Sequence, residues 1–313
     1  MNNINRDYLY TDEWIDLAMI NIGKNDLYLY AHDPEDRSSF CADQLISTNP
    51  NGQFIQLEID NQDMMSVKDS EEKIPLSSPN RIKAFYERYS VKVVYIEVTG
   101  MSCRLAAPLM KCAILEGYDV RVVYIEPKEY KLPEFQKEGI NQDLSECVGG
   151  VMSLPGFTKL FRRSKSEPLF VTFLGFEGGR FTYIVNNQQP SFECIRPVIG
   201  LPGYRMEYPF VAYWGNRFSL RATRSWEHVE YAEANSIVDS YLLLDKIWQE
   251  NHKPYMIVAP LGTKPHAIGA ILYAIKNDAR VELIYDNPIR HVERTDGIGR
   301  IHCCNVTNLY KDN

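Results

Sequence analysis

Nine short stretches of the chain are β-rich, most of them nearly continuous in apolar residues: "DLYLYA" (26–31), "QFIQLEI" (53–59), "VKVVYIEV" (91–98), "VRVVYIE" (120–126), "LFVTFLG" (169–175), "FECIRPVIG" (192–200), "YMIVAP" (255–260), "VELIY" (281–285) and "RIHCCNV" (300–306). Runs of this length, rich in Val, Ile, Tyr and Phe, predict strands covered on both faces, because a half-exposed strand alternates apolar with polar. Between them, apolar residues recur at three- and four-residue steps. That period predicts helices at 36–47, 80–89, 103–116, 179–187, 233–250 and 264–276. Strand and helix alternate, which predicts an α/β fold around a mainly parallel sheet.

The pattern occurs twice. "VKVVYIEVTGMSCRLAAPLMKCAILEGYDVRVVYIEP" (91–127) can be laid over "KPYMIVAPLGTKPHAIGAILYAIKNDARVELIYDNP" (253–288). Each holds a strand, a turn with one glycine (Gly100 or Gly262), an Ala/Leu-rich helix and a second strand ending in Pro127 or Pro288. Upstream, "YAHDPEDRSSF" (30–40) corresponds to "FLGFEGGRFTY" (173–183), each a strand passing through an acidic residue and an Arg into a helix. From that Arg to the glycine is 63 residues in the first copy and 82 in the second, the excess covering "GLPGYRMEYPFVAYWGNR" (200–217). Two pseudo-repeated halves are the simplest account. Their expected bounds are 1–127, with 1–25 an added helix, and 169–313. Residues 128–168 form a linker or inserted loop, and 61–79 a smaller exposed loop.

Composition narrows the class. A chain of 313 residues, 45% hydrophobic and with 20 tyrosines, can bury a full core. Its net charge of −7 gives no indication of nucleic-acid binding. No apolar run approaches the ~20 residues that span a bilayer, and no charged-then-apolar leader opens the chain, so no membrane association is expected. The seven cysteines form no C-x-x-C pair. Reduced thiols in a cytoplasmic protein are the expectation, with no metal site.

Candidate chemistry gathers at four places. The turn Gly262-Thr263-Lys264-Pro265-His266 joins a strand to a helix N-terminus, where free N–H groups and the helix dipole favour an anion. Glycine permits close approach, Lys264 supplies charge, Pro265 suits the first helical turn, and His266 can donate or titrate. The matching turn offers Thr99, Gly100, Ser102 and Arg104. The bland alternative is that each glycine merely makes its turn. Past the last long run, "YDNPIRHVERTDGIGRIH" (285–302) packs Asp286, Arg290, His291, Arg294, Arg300 and His302 together. It is expected to start on the Gly262 edge and return as a hairpin at Gly297 and Gly299, binding an anion or simply remaining solvated. In 200–217, Tyr204 and Trp214 could stack on a ring, unless the segment is an Ω-like loop covering the sheet. Glu177 with Arg180, and Asp33 and Glu35 with Arg37, read as ion pairs capping a helix, with catalysis the alternative. No Walker A loop or G-x-G-x-x-G is present, so neither ATP nor NAD is implied, and no cofactor is expected.

"APLGTKPHAIGAIL" and, less closely, "IEVTGMSCRLAAPLM" resemble the strand–(T)-G-T-K–helix turn of CARF-type Rossmann-like ligand-sensing domains. "LGFEGGR", "IGLPGYRMEYPFVAYWGNR" and "YDNPIRHVERTDGIGRIH" resemble blocks of an uncharacterised bacterial Rossmann-like family associated with antiphage-defence loci. The resemblance implies a ligand-binding or regulatory subunit working beside an ATPase or nuclease partner. On this reading a nucleotide-like or phosphorylated ligand sits in an interlobe crevice. Gly262, Thr263, Lys264, His266, Arg290, Arg294, Thr99 and Gly100 hold it, and Tyr204 or Trp214 stacks on it. Two alternatives stay open. One is a nucleotide-directed hydrolase or transferase with His266 or His291 as acid/base and Asp286 or Glu177 as partner. The other is a scaffold subunit with a vestigial pocket.

Overall fold

The computed structural model describes residues 11–14, 17, 20–33, 35–131, 144–159, 167–252, 255–290 and 294–310. In chain order the first elements are β1 (Thr11–Trp14), β2 (Asp26–Tyr30), α1 (Asp36–Thr48), β3 (Gln53–Ile59), β4 (Met64–Val67), β5 (Ile74–Pro75), α2 (Pro79–Glu87), β6 (Val93–Glu97), α3 (Cys103–Leu115) and β7 (Asp119–Tyr130). There follow β8 (Ser145–Val148), β9 (Met152–Ser153), β10 (Leu169–Leu174), α4 (Gly178–Gln188), β11 (Ile195–Gly200), α5 (Tyr208–Ala222), β12 (Glu230–Ala232), α6 (Ile237–Asn251), β13 (Met256–Pro260), α7 (Lys264–Lys276), β14 (Val281–Tyr285), β15 (Pro288–Arg290) and β16 (Thr295–Asn305).

Eight of the nine apolar runs build two parallel cores of the same order. The first runs β3-β2-β6-β7, every pair parallel. The second runs β11-β10-β13-β14, again all parallel. The fold is therefore α/β and Rossmann-like, built from two pseudo-repeated halves. In each, the strand order reverses between the first strand and the third, β2 and β6 or β10 and β13. In open α/β sheets a ligand crevice lies at that switch point, beyond the carboxyl ends of the strands.

The helix after each third strand is mostly apolar because it is mostly enclosed. In α3, Cys103 and residues 105–110 are buried, and in α7 every residue from Pro265 to Ile275 is buried. Gly269 lets α6 lie against α7, since a Cβ there would stand 2.6 Å from the Ile237 carbonyl oxygen and the Ser240 Cβ. One core gathers Tyr28, Tyr30, Leu45, Tyr95, Val123 and Ile301; the other gathers Phe170, Leu174, Phe181, Ile184, Ile195 and Leu220.

The chain divides into two compact units, Met1–Lys131 with Val292–Asn313, and Leu132–His291. This departs from the expected halves at several places. The ninth run does not end the second half: β16 pairs antiparallel with β7 in the first sheet, from Thr295↔Tyr130 to Asn305↔Arg121. The expected hairpin at Gly297 and Gly299 is instead an irregularity inside β16, where the register shifts between Ile298 and Ile301. Gly297, one residue before that shift, has a left-handed φ of 63. Residues 11–14 are not helical but form β1, on the far side of β16. The 61–79 segment adds β4 and β5 as an antiparallel edge to β3. The 128–168 segment extends β7 and supplies β8 and β9, which pair with β15 and β14.

The segment expected to be a ring-stacking cluster or an Ω-like loop forms the helix α5. Its Pro209 sits in the first turn, where a missing N–H is harmless. Gly178 and Gly215 let α4 and α5 touch backbone to backbone: a Cβ on Gly178 would stand 2.0 Å from the Gly215 carbonyl oxygen.

Candidate functional site

In the second unit the switch point brings together the turn after β10 and the turn after β13. Gly175 and Phe176 lead to Glu177, the N-cap residue of α4, whose carboxylate caps nothing. It accepts instead from the Leu144 N–H (2.9 Å) and from Arg290 Nη1 (2.8 Å), with Arg180 Nη1 at 3.4 Å. Arg180, one turn into α4, donates to both oxygens of Asp286 at 2.8 and 2.7 Å and to the Leu261 carbonyl at 3.1 Å. That carbonyl immediately precedes Gly262. Asp286 is fully buried and Arg180 nearly so. Burial works against the charge on Arg180, but the hydrogen bonds to Asp286 and the surrounding electrostatics with Tyr285, Asp286 and Glu177 outweigh it and raise its pKa.

The first unit repeats the arrangement. Glu35, the N-cap residue of α1, also makes no cap hydrogen bond. It accepts from Arg37 Nε (2.7 Å), Arg37 Nη2, Arg294 Nε and Thr295 Oγ1 (3.1 Å). Arg37 Nη1 also reaches the Ile125 carbonyl (2.5 Å), and Asp33 stands 3.8 Å from Arg294. Burial favours the neutral acid at Glu35, yet Arg37 and Arg294 hold its carboxyl below the usual range. Each switch point thus carries a buried glutamate between two arginines, with a second carboxylate beside them. The sets are Glu35, Arg37, Arg294 and Asp33, and Glu177, Arg180, Arg290 and Asp286. Each is formally neutral.

These clusters correct two expectations. Arg290 and Arg294, expected on one ligand, fall in different units, and each is an ion-pair partner of a glutamate. The acid–Arg pairs stand at helix starts as expected but act through ion pairing, not capping. His291 lies outside the described residues.

The glycine turns do different jobs. In the first unit Gly100 is a steric necessity, because a Cβ would fall 1.9 Å from the Ala31 carbonyl oxygen. Thr99 is buried and its hydroxyl accepts from the Ile125 N–H at 3.1 Å, tying the turn to β7. Ser102 caps α3, and Arg104 pairs with Asp63. In the second unit Thr263 caps α7 by accepting from the His266 N–H (3.3 Å), and its hydroxyl donates to the Ala234 carbonyl (2.6 Å). Lys264 is half-buried at the first helical position.

His266 is not placed as an anion donor or an acid/base group. Its ring is fully buried against Phe173, with Nε2 at 3.0 Å from the Glu233 carbonyl. Burial pushes its pKa down to about 4, partly offset by backbone hydrogen bonds at Glu233 and Ala232. The neutral ring, donating through Nε2, has no second N–H for an anion. Trp214 also departs from its expected place. Asn216 holds α5 to the Gly175 carbonyl (2.8 Å), whereas Trp214 is on the exposed face, stacked on Arg217. Tyr204 precedes α5, half-buried.

One cluster was not foreseen in full. Glu126 on β7 lies 2.7 Å from His302 Nε2 and 3.3 Å from Arg300 Nε, both on β16. His302 and Arg300 stood out in the sequence. Glu126 was hidden at the end of an apolar run, the position at which a strand meets the carboxyl edge of its sheet. Among the described residues, no three His, Cys, Asp or Glu side chains are grouped to hold a metal ion. No described helix is long and apolar enough to cross a membrane.

No protein-family description matches the chain, and no curated protein is significantly similar to it. Among solved structures, it aligns with a periplasmic ribose ABC transporter protein from Conexibacter woesei at 13% identity and TM-score 0.22, over 82% of this chain and 70% of that one. It also aligns with a GDP-L-fucose synthetase from Naegleria fowleri at 7% identity and TM-score 0.23, over 91% and 89% of the two chains.

Proposed function

We propose that the chain is a ligand-binding subunit of sensor type that takes a nucleotide-like or other phosphorylated ligand at the carboxyl edge of its second sheet. The observation that carries this reading is the position of Gly262-Thr263-Lys264. The turn stands at the strand-order reversal, opens a 13-residue helix, and presents a half-buried lysine beside the N-terminal dipole. The first unit's turn has no lysine in that place: its N-cap Ser102 is followed by Cys103. The likeness of the second turn to CARF-type sensing domains supports a nucleotide-like ligand. The likeness of 169–302 to a defence-associated bacterial family supports a setting beside an ATPase or nuclease partner.

An enzymatic role draws less support, since His266 is buried and neutral and Asp286 is engaged at both oxygens by Arg180. A scaffold role is the second reading, favoured by the neutral charge clusters that occupy both switch points. Thermal-shift screening of nucleotides and phosphorylated metabolites separates the two. A ligand that stabilises wild type and not Lys264→Ala supports sensing. No shift with any compound, together with co-purification of a neighbouring ATPase or nuclease, supports the scaffold.

A further inference from the structure

Helix α5 carries an unusually apolar exposed face. Phe210 is 74% exposed, Trp214 48% and Phe218 68%, with Met206 and Tyr213 exposed beside them. The opposite face, including Tyr208, Val211, Ala212, Asn216, Ser219 and Leu220, is buried in the second unit, so the ridge is no accident of a loosely attached helix. Contiguous aromatic surface on a soluble protein marks an interaction site, and aromatics with Met and Arg are the residue types enriched at protein interfaces.

The ridge is also palindromic. Phe210 and Phe218 lie four residues either side of Trp214, and Glu207 and Arg221 lie seven residues either side. At 3.6 residues per turn these five positions fall within an arc of about 80°, over about 21 Å of helix. Glu207 already has helical backbone angles, φ −79 and ψ −22, and its nearest cation is Arg205 at 3.7 Å. Arg217, next to the ridge centre, has its guanidinium over the Trp214 ring at 4.0 Å and the Phe218 ring at 4.2 Å, so its charge is already placed on the aromatic faces.

We infer that this face pairs with the same face of a second copy, the two α5 helices running antiparallel about a two-fold axis at Trp214. That axis sets Phe210 against Phe218 of the other copy and Trp214 against its own counterpart. At both ends it sets Glu207 against Arg221. A two-fold interface must be self-complementary in this way, residue i meeting j while j meets i, and it closes at two copies. A parallel arrangement would instead oppose Glu207 to itself and Arg221 to itself.

The test is sedimentation equilibrium of the full chain with charge-reversed variants. Wild type is expected to be dimeric at micromolar protein. Glu207→Arg and Arg221→Glu should each weaken self-association about tenfold or more, because each places two like charges at both ends. An equimolar mixture of the two variants should recover a dimer, since opposite charges then meet again at both ends. Both substitutions are on exposed side chains, and unchanged thermal melting checks that each variant is folded. A wild-type chain that stays monomeric would overturn the inference. So would a dimer indifferent to either reversal, or two variants that fail to associate when mixed. A monomer that binds phosphatidylserine vesicles through Phe210 and Trp214 would also overturn it.

Discussion

Glu35 and Glu177 occupy the same place in the two units. Each follows the first strand of a parallel core, opens the helix after it, and sits between two arginines, one from that helix and one from the far C-terminal region. The duplication therefore extends beyond strands and helices to a buried, charge-balanced cluster at each switch point. Buried ion pairs add little net stability, because desolvation offsets their attraction; removing one partner is another matter.

Arg180→Met is accordingly expected to destabilise the chain by about 3–5 kcal/mol, since it leaves Asp286 buried without its bidentate partner. Arg180→Met combined with Asp286→Leu should recover most of that loss, with both charges gone and apolar volume in their place. Urea unfolding of the single and double variants measures the difference. Additive losses in the double variant would count against the cluster acting as a unit.

The two glycine turns should respond unequally to alanine. At Gly100 the new Cβ would stand 1.9 Å from a main-chain oxygen, which only backbone movement relieves, so a loss of about 3 kcal/mol or more is expected. At Gly262 the nearest atoms are 3.1 to 3.3 Å away, and the first of them is His266 Nδ1. There a smaller loss, of about 1 kcal/mol, is expected. Thermal melts of the two variants compare them directly, and equal losses would contradict the assigned geometry.

Acid stability should carry the signature of His266. Its pKa falls from 6.5 to about 4 in the folded chain, so between those values the unfolded state binds more protons. Stability is then complete above pH 6.5 and falls as pH drops toward 4, by up to about 3 kcal/mol. Glu35, with its lowered pKa, adds a further loss at the acid end. Denaturant midpoints across pH 4–7 should be flatter for His266→Gln than for wild type. An unchanged slope would mean that the ring is not held neutral.

The parallel cores were legible because strands covered on both faces leave unbroken apolar runs, and the duplication was legible because both copies keep the same strand–glycine–helix order. Helix α5 was not, since Phe210, Trp214 and Phe218 on its outer face erase the contrast between apolar and polar sides by which a helix is recognised. The destination of β16 was hidden for another reason: "RIHCCNV" reads equally well as the end of either half, and only pairing with β7 decides between them. The arginines were visible as residues, but Arg290 and Arg294 stand four positions apart in sequence and serve different glutamates in different units. His266 looked reactive because burial leaves no mark on a sequence.

The most direct measurement is calorimetric titration of the full chain with the phosphorylated compound that most raises its melting temperature. Lys264→Ala should bind it at least about tenfold more weakly, as loss of a charge-assisted contact at a helix N-terminus implies. Trp214→Ala, altered on the exposed face of α5, and Arg104→Ala, in the other unit's turn, should bind as wild type does. Undiminished affinity in Lys264→Ala would contradict the assignment of the Gly262 turn as the ligand site.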